Sequence, residues 1–221
     1  MEHLEAIQNR HSVRQYADKP IEEKTLSALR TEIAACNREG NLHIQLVTDE
    51  PRAFEGFMAH YGKFSGVTNY LALVGRNTKD LDEKCGYYGE RIVLLAQQLG
   101  LNTCWVALTY SKIPGAFKVG SGEKLAVVIA LGYGKTQGVK HKSKPAKKVS
   151  NINADSPKWF KSGVKAALLA PTAMNQQKFY LTCSDGKVSA KPGIGFHTKM
   201  DLGIVKYHFE LGAGKENFLW A

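Results

Sequence analysis

The sequence predicts an α+β fold, because helical and strand patterns are both strong along the chain. Residues 86–101 repeat apolar side chains at helical spacing and end in glycine and leucine. Residues 123–133 contain an uninterrupted apolar run that ends at glycine, which is typical of a buried strand. The β-rich runs 179–182 and 187–190 flank Ser184-Asp185-Gly186, whose Asp-Gly pair is a hairpin signal. Helices are therefore expected to pack with strands, two of which are antiparallel.

The first part of the chain contributes two further helices and two further strands. A helix is predicted over 1–10, and another over 22–36, where apolar residues recur at helical spacing after Pro20. The runs 42–48 and 69–75 alternate or are rich in β-branched and aromatic residues, which predicts strands.

The elements after the central helix are more varied. Residues 102–108 form a loop or a strand, and the polar, Lys-rich stretch 134–153 is irregular and is a candidate junction. Helical periodicity returns over 157–170 and is stopped by the proline that follows. A last amphipathic helix is predicted over 201–211, with Asp201 as its N-cap.

Length and composition limit the class of protein. With 221 residues and 43% hydrophobic content, the chain can bury a core as one large domain or two small ones. The longest apolar runs, such as Leu125 to Leu131, are too short to span a bilayer, and the acidic start is unlike a signal peptide. We therefore expect a cytoplasmic protein without a membrane partner.

The net charge of +10 raises the question of a nucleic-acid partner. The excess of positive charge is local, because much of it falls within one Gly- and Lys-rich stretch. Its lysines are Lys135, Lys140, Lys142, Lys144, Lys147 and Lys148. Such a stretch is either a solvated loop or a site for a small phosphate group, so a nucleic-acid partner is not expected.

The cysteines indicate thiols rather than crosslinks or metal ligands. Cys36, Cys85, Cys104 and Cys183 lie far apart, without a CxxC pair. This spacing fits neither a zinc ribbon nor a dense disulfide framework, and it predicts free, mostly buried thiols. Cys104 could suggest thiol catalysis, but no partner histidine is placed by the sequence, and a packed thiol is the preferred interpretation.

The segment Arg10-His11-Ser12-Val13-Arg14, here called the comb, is the most informative short motif. In extended or turn-like backbone alternate residues project to the same side, so Arg10, Ser12 and Arg14 would converge. Two guanidinium groups and a hydroxyl match the oxygens of a phosphate. The alternative is a solvated N-terminal loop with scattered charge.

A weak internal repeat relates two parts of the chain. The order helix, polar break and strand occurs over 26–48 and again over 164–185. The second copy contains Ala170-Pro171-Thr172-Ala173-Met174-Asn175-Gln176-Gln177, whereas the first has no proline at the corresponding place.

Four motifs together resemble the nitroreductase-like flavoprotein superfamily. Residues 10–16 (RHSVRQY), followed by 19–21 (KPI), resemble the opening RxSxRxF and the start of the second helix in that family. Residues 100–106 (GLNTCWV) resemble its GLGTCWIG turn, and 130–133 (ALGY) resemble its ALGYP strand end. Residues 170–177 (APTAMNQQ) resemble its APSxxNxQPW segment.

The order of these motifs departs from the family. APSxxNxQPW belongs near residue 40, where this chain has Ala34-Ala35-Cys36-Asn37-Arg38. In ordinary members two subunits build each FMN site, one offering RxSxR and the other APSxxN. The resemblance thus implies a mostly antiparallel central sheet flanked by helices. It also implies an internal pseudo-dimer, in which a first half, 1–153, packs against a truncated second half, 154–221. One FMN site per chain is expected, since each motif occurs once.

The resemblance also implies roles for individual residues. Those assigned to the FMN phosphate are Arg10, Ser12 and Arg14, with Lys142 and Lys144 as a later basic pair for which a solvated loop is an equal alternative. His11 would lie near the ribityl chain or the ring through its backbone, rather than act as an acid or base. The covering residues from the second half are Pro171, Thr172, Ala173 and Asn175, with a simple helix stop as the alternative. Gln177 would support that turn.

Further ring contacts are implied after the central helix. The residues that would pass along the ring are Trp105, Val106, Ala107 and Leu108. Ala107 and Leu108 stand where the family has glycines beside the flavin N5 and the substrate. Asn69 is a weaker ring candidate, whose alternative role is that of a strand-end residue. No catalytic side chain and no metal ligand is assigned.

The function implied is an FMN-dependent oxidoreductase. It would take a hydride from NADH or NADPH and reduce a nitroaromatic, quinone or similar small-molecule acceptor in a ping-pong scheme. Gly132-Tyr133-Gly134-Lys135 lacks the third glycine of a dinucleotide-binding fingerprint. The scheme requires no such fingerprint. The alternatives are a flavin-binding or flavin-sequestering protein without turnover, and a basic interaction module. The chain would act as a monomeric pseudo-dimer or as a homodimer.

Overall fold

A computed structural model describes residues 1–140 and 142–221 and divides the chain into two compact units. The N-terminal unit comprises Asn9–Leu81 and Arg91–Lys140. The C-terminal unit comprises Met1–Gln8, Asp82–Glu90 and His141–Ala221. Each unit is composed of segments that are not contiguous in the sequence. The resemblance instead implies two halves with a single boundary after residue 153. The two predicted halves stay a prediction.

Six helices and seven strands make up the regular structure of the described residues. The helices are α1 (His3–Asn9), α2 (Glu23–Gly40), α3 (Phe57–Tyr61), α4 (Leu81–Gln98), α5 (Lys158–Ala167) and α6 (Thr198–Ala213). The strands are β1 (Gln45–Val47), β2 (Asn69–Arg76), β3 (Asn102–Val106), β4 (Glu123–Gly132), β5 (Phe179–Ser184), β6 (Lys187–Pro192) and β7 (Leu219–Trp220). Short 3-10 turns occur at Pro51–Phe54, Ala146–Lys148, Ala173–Asn175 and Lys215–Asn217.

The N-terminal unit is built on a four-stranded sheet in the order β1-β2-β4-β3. Every pair in it is antiparallel, with Leu71 opposite Ile129 and Thr103 opposite Leu131. Strand β2 is buried except at its last residue, and β4 is buried from Val127 to Gly132, because these runs are apolar on both faces, as the uninterrupted apolar runs predict. The predicted α+β class, with a mostly antiparallel sheet flanked by helices, is confirmed.

The C-terminal unit combines a small sheet with packed helices. The Asp-Gly hairpin joins β5 and β6 as predicted, and β7 adds a parallel strand to β6. Helices α5 and α6 approach closely, with the rings of Phe160 and Phe209 at 5.8 Å between centroids. No helix in the described part of the chain is long and apolar enough to cross a membrane.

The structure corrects several predicted boundaries. Helix α6 begins at Thr198 with His197 at its N-cap position, so the prediction of Asp201 as N-cap is wrong. Asp201 lies inside the helix, where its carboxylate accepts hydrogen bonds from a neighbouring loop. Helix α4 begins at Leu81 instead of residue 86, and β1 is shorter than the predicted strand 42–48.

Candidate functional site

The comb lies in the N-terminal unit, in extended backbone alongside β3. Ser12 forms a parallel bridge with Thr103, and the backbone N–H of Val13 donates to the Thr103 carbonyl at 3.0 Å. Val13 is 1% exposed and packs in the core, whereas Ser12 is partly exposed and Arg14 is exposed. The side chains therefore alternate across this segment, as extended backbone requires.

The three polar side chains of the comb share a neighbour in Cys104. Burial raises the pKa of this thiol, and Arg14, a hydrogen bond with the Ser12 side chain and Arg10 act in the opposite direction. Ser12 and Arg14 are alternate residues of extended backbone, so they project away from the side on which Val13 is buried. The net rise in pKa keeps Cys104 protonated at neutral pH, so it has the character of a packed thiol rather than of a nucleophile.

A glycine loop lies against the comb within the same unit. Gly138 has a φ of +73°, and a Cβ added there would lie 2.7 Å from the His11 Cβ and 2.9 Å from the Ser12 carbonyl oxygen. The N–H of Gly134, earlier in the loop, donates to the Asn102 side-chain oxygen at 2.9 Å. Glycine is thus needed at position 138 for the loop to approach the comb backbone.

A cavity of about 400 Å³ opens beside Arg14 in the N-terminal unit. Its lining side chains include two cations and three aromatic rings. The lining residues are Arg14, Tyr61, Gly62, Lys63, Phe64, Trp105, Val106, Ala107 and Thr109. The Arg14 guanidinium lies 5.9 Å from the centre of the Phe64 ring. The cavity can therefore receive a planar group that carries negative charge.

Sequence reasoning missed Lys63, which contributes the second cation of this cavity. Lys63 has a φ of +62° and follows the five-residue helix α3, in a segment without clear periodicity. A lysine in the left-handed region is uncommon, but φ cannot be read from the sequence. Gly62 beside it is close to Thr109, with 2.7 Å from a built Cβ to the Thr109 Cβ.

Two other candidates of this unit have different surroundings. Asn69 is 6% exposed, its side-chain oxygen accepts from the Asp49 N–H at 3.3 Å, and its amide donates to Thr68 at 3.0 Å. These contacts suit the strand-end role. Leu108 is 73% exposed and is not among the residues that line the cavity.

The APTAMNQQ segment forms a tight loop in the C-terminal unit. Three of its residues, Met174, Asn175 and Gln177, have positive φ. The Asn175 amide donates to the Lys142 carbonyl at 3.0 Å and its oxygen accepts from Gln177 at 2.8 Å. The N–H of Gln177 donates to the Thr172 hydroxyl at 3.0 Å. Gln177 supports the turn, as the resemblance implies.

Lys142 and Lys144 lie against this loop. The Lys142 carbonyl accepts from both Asn175 and Gln177, so its backbone closes the loop. The Lys144 ammonium donates to the carbonyls of Gln176 at 2.6 Å and Gln177 at 3.2 Å. Both side chains are exposed.

Asp201 of α6 fixes the start of the same loop. Its carboxylate accepts from the Ala173 N–H at 2.9 Å and from the Gln176 amide at 2.8 Å. Burial raises the pKa of this carboxyl, and the two hydrogen bonds oppose the rise. Pro171 is buried just before the loop, where it ends the helical region.

The structure thus brings the candidates together in two groups, one within each unit. Arg10, His11, Ser12 and Arg14 join Trp105 and its neighbours in the N-terminal unit, and Lys142 and Lys144 join residues 171–177 in the C-terminal unit. Among the described residues, no group of three or more His, Cys, Asp and Glu side chains is placed to hold a metal ion.

Solved structures share the fold of this chain. A "putative nitroreductase" from Thermotoga maritima MSB8 is 22% identical, with a TM-score of 0.70 over 98% of this chain and 85% of that one. A "Putative NADH dehydrogenase/NAD(P)H nitroreductase" from Parabacteroides distasonis is 20% identical, with a TM-score of 0.53 over 70% and 98% of the two chains. A "putative nitroreductase in complex with fmn" from Desulfovibrio desulfuricans is 16% identical, with a TM-score of 0.53 over 71% and 98% of the two chains.

Sequence comparison defines the family. No curated protein matches the chain significantly. The profile of the family described as "Putative TM nitroreductase" matches residues 2–213, which is nearly the whole chain. The chain therefore belongs to this nitroreductase family and, with it, to the oxidoreductases.

Proposed function

We propose that the chain is an FMN-dependent NAD(P)H oxidoreductase that reduces nitroaromatic, quinone or similar acceptors in a ping-pong scheme, with one FMN site. The observation that favours this most is the cavity of about 400 Å³ beside Arg14, which is lined by two cationic side chains and three aromatic rings and adjoins the extended segment that carries Ser12 and Arg14. Relatives support the proposal by their names, since one is solved with FMN and another is named an NAD(P)H nitroreductase.

The comb residues fit a phosphate group. A guanidinium group is planar and can donate two parallel N–H hydrogen bonds to phosphate oxygens, and a hydroxyl adds a further donor. Gly138 leaves the comb backbone accessible to a closely packed loop, where any side chain would clash with His11 and Ser12. We assign Arg10, Ser12 and Arg14 to the phosphate, and His11 to the adjoining backbone.

The cavity beside Arg14 fits the planar part of the cofactor. Trp105, Val106 and Ala107 are among its lining residues, and Lys63 adds a second positive charge to the lining. FMN, when bound, supplies the hydride chemistry. The lining residues would orient the ring, and Arg14 and Lys63 would keep positive charge beside it.

The loop of residues 171–177 is assigned to the cover of the ring. Its small residues Pro171, Thr172 and Ala173 leave room for a close approach, and its shape is set by hydrogen bonds to Asp201 and Gln177. Asn175 uses both ends of its amide inside the loop, so we assign it to holding the loop in shape beside the cofactor.

Anaerobic reduction tests the proposal directly. The purified chain, loaded with FMN, is expected to lose its yellow absorbance when NADH or NADPH is added without oxygen, and to regain it with a nitroaromatic or quinone. Initial rates over both substrates should give the parallel double-reciprocal lines of a ping-pong scheme.

Two outcomes would contradict this function. Tight FMN binding without bleaching by either nucleotide would favour a flavin-binding or flavin-sequestering protein. A colourless chain that resists loading with FMN, yet binds polyanions, would favour a basic interaction module.

A further inference from the structure

Three large apolar side chains are exposed on two loops of the C-terminal unit. Met174 is 91% exposed, Ile194 96% and Phe196 76%. Met174 belongs to the APTAMNQQ loop, and the other two to the loop Pro192-Gly193-Ile194-Gly195-Phe196 after β6. We call these three side chains the apolar tip. Exposed apolar clusters on loop tips commonly mark an interaction surface.

The two loops are held together as one surface. The Gln176 amide donates to the Phe196 carbonyl at 2.6 Å and to the Asp201 carboxylate at 2.8 Å. A Cβ added at Gly195 would lie 2.4 Å from the side-chain oxygen of Gln176, so the loops are in close contact. The apolar tip is therefore a shared feature of both loops.

Met174 lies at a strained position of its loop. Its φ of +52° lies in the left-handed region, which is unfavourable for a bulky residue. The turn is held because the Asn175 N–H donates to the Thr172 carbonyl at 2.9 Å and the Ala173 N–H donates to Asp201. These bonds hold the backbone of Met174 at the surface of the loop, where its side chain is 91% exposed.

Lysines surround the apolar tip. The backbone of Lys178 accepts from the Gly193 N–H at 2.8 Å, and its ammonium would lie 3.2 Å from a Cβ added at Gly195. The Lys144 ammonium donates to the Gln176 carbonyl at 2.6 Å. Lys199 lies three residues after Phe196 in the sequence. All three lysines are exposed.

The positive charge extends over this part of the chain. Residues 142–221 contain 13 lysines and no arginine, against five acidic residues. Most of the net charge of +10 is thus located here. A second copy of the chain would bring like charges together, and a soluble polyanion would leave the apolar tip without a partner.

We propose that the apolar tip and its lysines form a peripheral docking surface for an anionic lipid bilayer. Apolar side chains on a loop can enter the boundary between headgroups and acyl chains while lysines beside them bind the anionic headgroups. The expectation of no membrane partner rests on the lack of a run long enough to span a bilayer. Docking at a surface needs no such helix, so the finding that no described helix could cross a membrane does not oppose the proposal. Met174 belongs to the loop that we assign to the cover of the ring, whereas Ile194 and Phe196 have no role in the proposed function, so a test at Phe196 can fail independently of that function.

Co-sedimentation of the full chain with vesicles tests the surface. Binding is expected to phosphatidylcholine vesicles that contain phosphatidylglycerol and to be weak to phosphatidylcholine alone. Phe196→Ser should weaken binding by about tenfold or more, because a buried phenyl ring is lost from the boundary. The double change Lys178→Glu and Lys199→Glu should also weaken it by about tenfold or more, and added salt should act in the same direction.

Matched variants in the N-terminal unit serve as controls. Phe57 is 81% exposed, and Lys24 and Lys79 are exposed, so Phe57→Ser and the pair Lys24→Glu with Lys79→Glu make the same chemical changes elsewhere. They should bind vesicles like the unchanged chain. All variants are compared by circular dichroism and thermal melting.

Three results would overturn the proposal. The first is no binding to the anionic vesicles. The second is binding that the lysine changes weaken but Phe196→Ser leaves unchanged, with equal binding to single-stranded DNA, which indicates simple polyanion attraction. The third is a dimer in size-exclusion chromatography with light scattering that Phe196→Ser converts to a monomer, which assigns the tip to a second copy of the chain.

Discussion

The two arginines of the comb differ in burial, and this decides which one tests the cofactor site. Arg10 is 4% exposed, so its removal would leave a hole in the N-terminal unit as well as remove a charge. Arg14 is exposed and reaches the cavity beside the Phe64 ring. A change at Arg14 therefore reports on ligand binding with little effect on packing.

Arg14→Ala is expected to lower FMN affinity by about 1.5–3 kcal/mol, the range for a hydrogen bond to a charged group. In a titration of the apoprotein followed by flavin fluorescence, this corresponds to a rise in Kd of about tenfold to a hundredfold. Arg30→Ala is the control, because Arg30 is an exposed arginine of α2 whose partner is Glu23. Equal affinity in the two variants would remove Arg14 from the phosphate site.

At the scale of elements, long periodic segments were predicted well, whereas helix α3 and strand β7 were missed. Helices α2, α4 and α5 and strands β2 and β4 bury continuous apolar stripes or runs, and such patterns are visible in the sequence. Helix α3 has five residues, with Phe57 and Tyr61 exposed, so no apolar periodicity marks it. Strand β7 has two residues and exists through its pairing with β6.

Boundaries were less predictable because tertiary contacts set them. Asp201 was predicted as a cap because an acidic residue preceded an apolar run. In the structure its carboxylate is committed to the Ala173 N–H and the Gln176 amide, and the helix extends back to Thr198. Such a contact joins residues far apart in sequence, so local pattern alone could not anticipate it.

The pairing of α4 with α6 leads to a prediction about two glycines of the C-terminal unit. A Cβ added at Gly86 would lie 2.0 Å from the Met200 carbonyl oxygen, and one added at Gly203 would lie 1.9 Å from the Glu83 carbonyl oxygen. On helix propensity alone, Gly→Ala inside a helix should stabilise by roughly 1 kcal/mol. The clash with backbone should reverse the sign and destabilise each variant by about 1–3 kcal/mol in urea unfolding.

Gly120→Ala serves as the control for these helix variants. Its added Cβ meets only the flexible Glu123 side chain, at 3.0 Å from the carboxylate oxygen. We expect its free energy of unfolding to change much less than that of Gly86→Ala or Gly203→Ala. Helix variants as stable as the unchanged chain would show that α4 and α6 are not in close backbone contact.

At the scale of the whole molecule, the chain is longer than some of the nitroreductases whose fold it shares. The structures from Parabacteroides distasonis and Desulfovibrio desulfuricans are covered over 98% of their own length, yet they match only 70% and 71% of this chain. The Thermotoga maritima structure matches 98% of this chain. About three tenths of the chain is thus additional to the shorter structures.

The sequence could predict the two sets of site residues, but not their surroundings. The comb and the APTAMNQQ segment are recognisable because each is a compact local motif. The second cation of the cavity, Lys63, and the closure of the loop by Lys142 depend on backbone conformation and on contacts between distant residues. These features have no local signature in the sequence.

The pseudo-dimer proposal makes a quantitative prediction for flavin content. The comb and the APTAMNQQ segment, which the resemblance assigns to FMN, each occur once in the sequence, so one FMN per chain is the predicted content. Flavin released by heat from the loaded protein should therefore approach one FMN per chain, with the molar mass measured in parallel by light scattering. In the Arg14→Ala variant the FMN content per chain should be lower at limiting FMN, and it should return to one at excess FMN. A value that approaches two per chain in the unchanged protein would require a second phosphate site without the comb, and it would refute the pseudo-dimer.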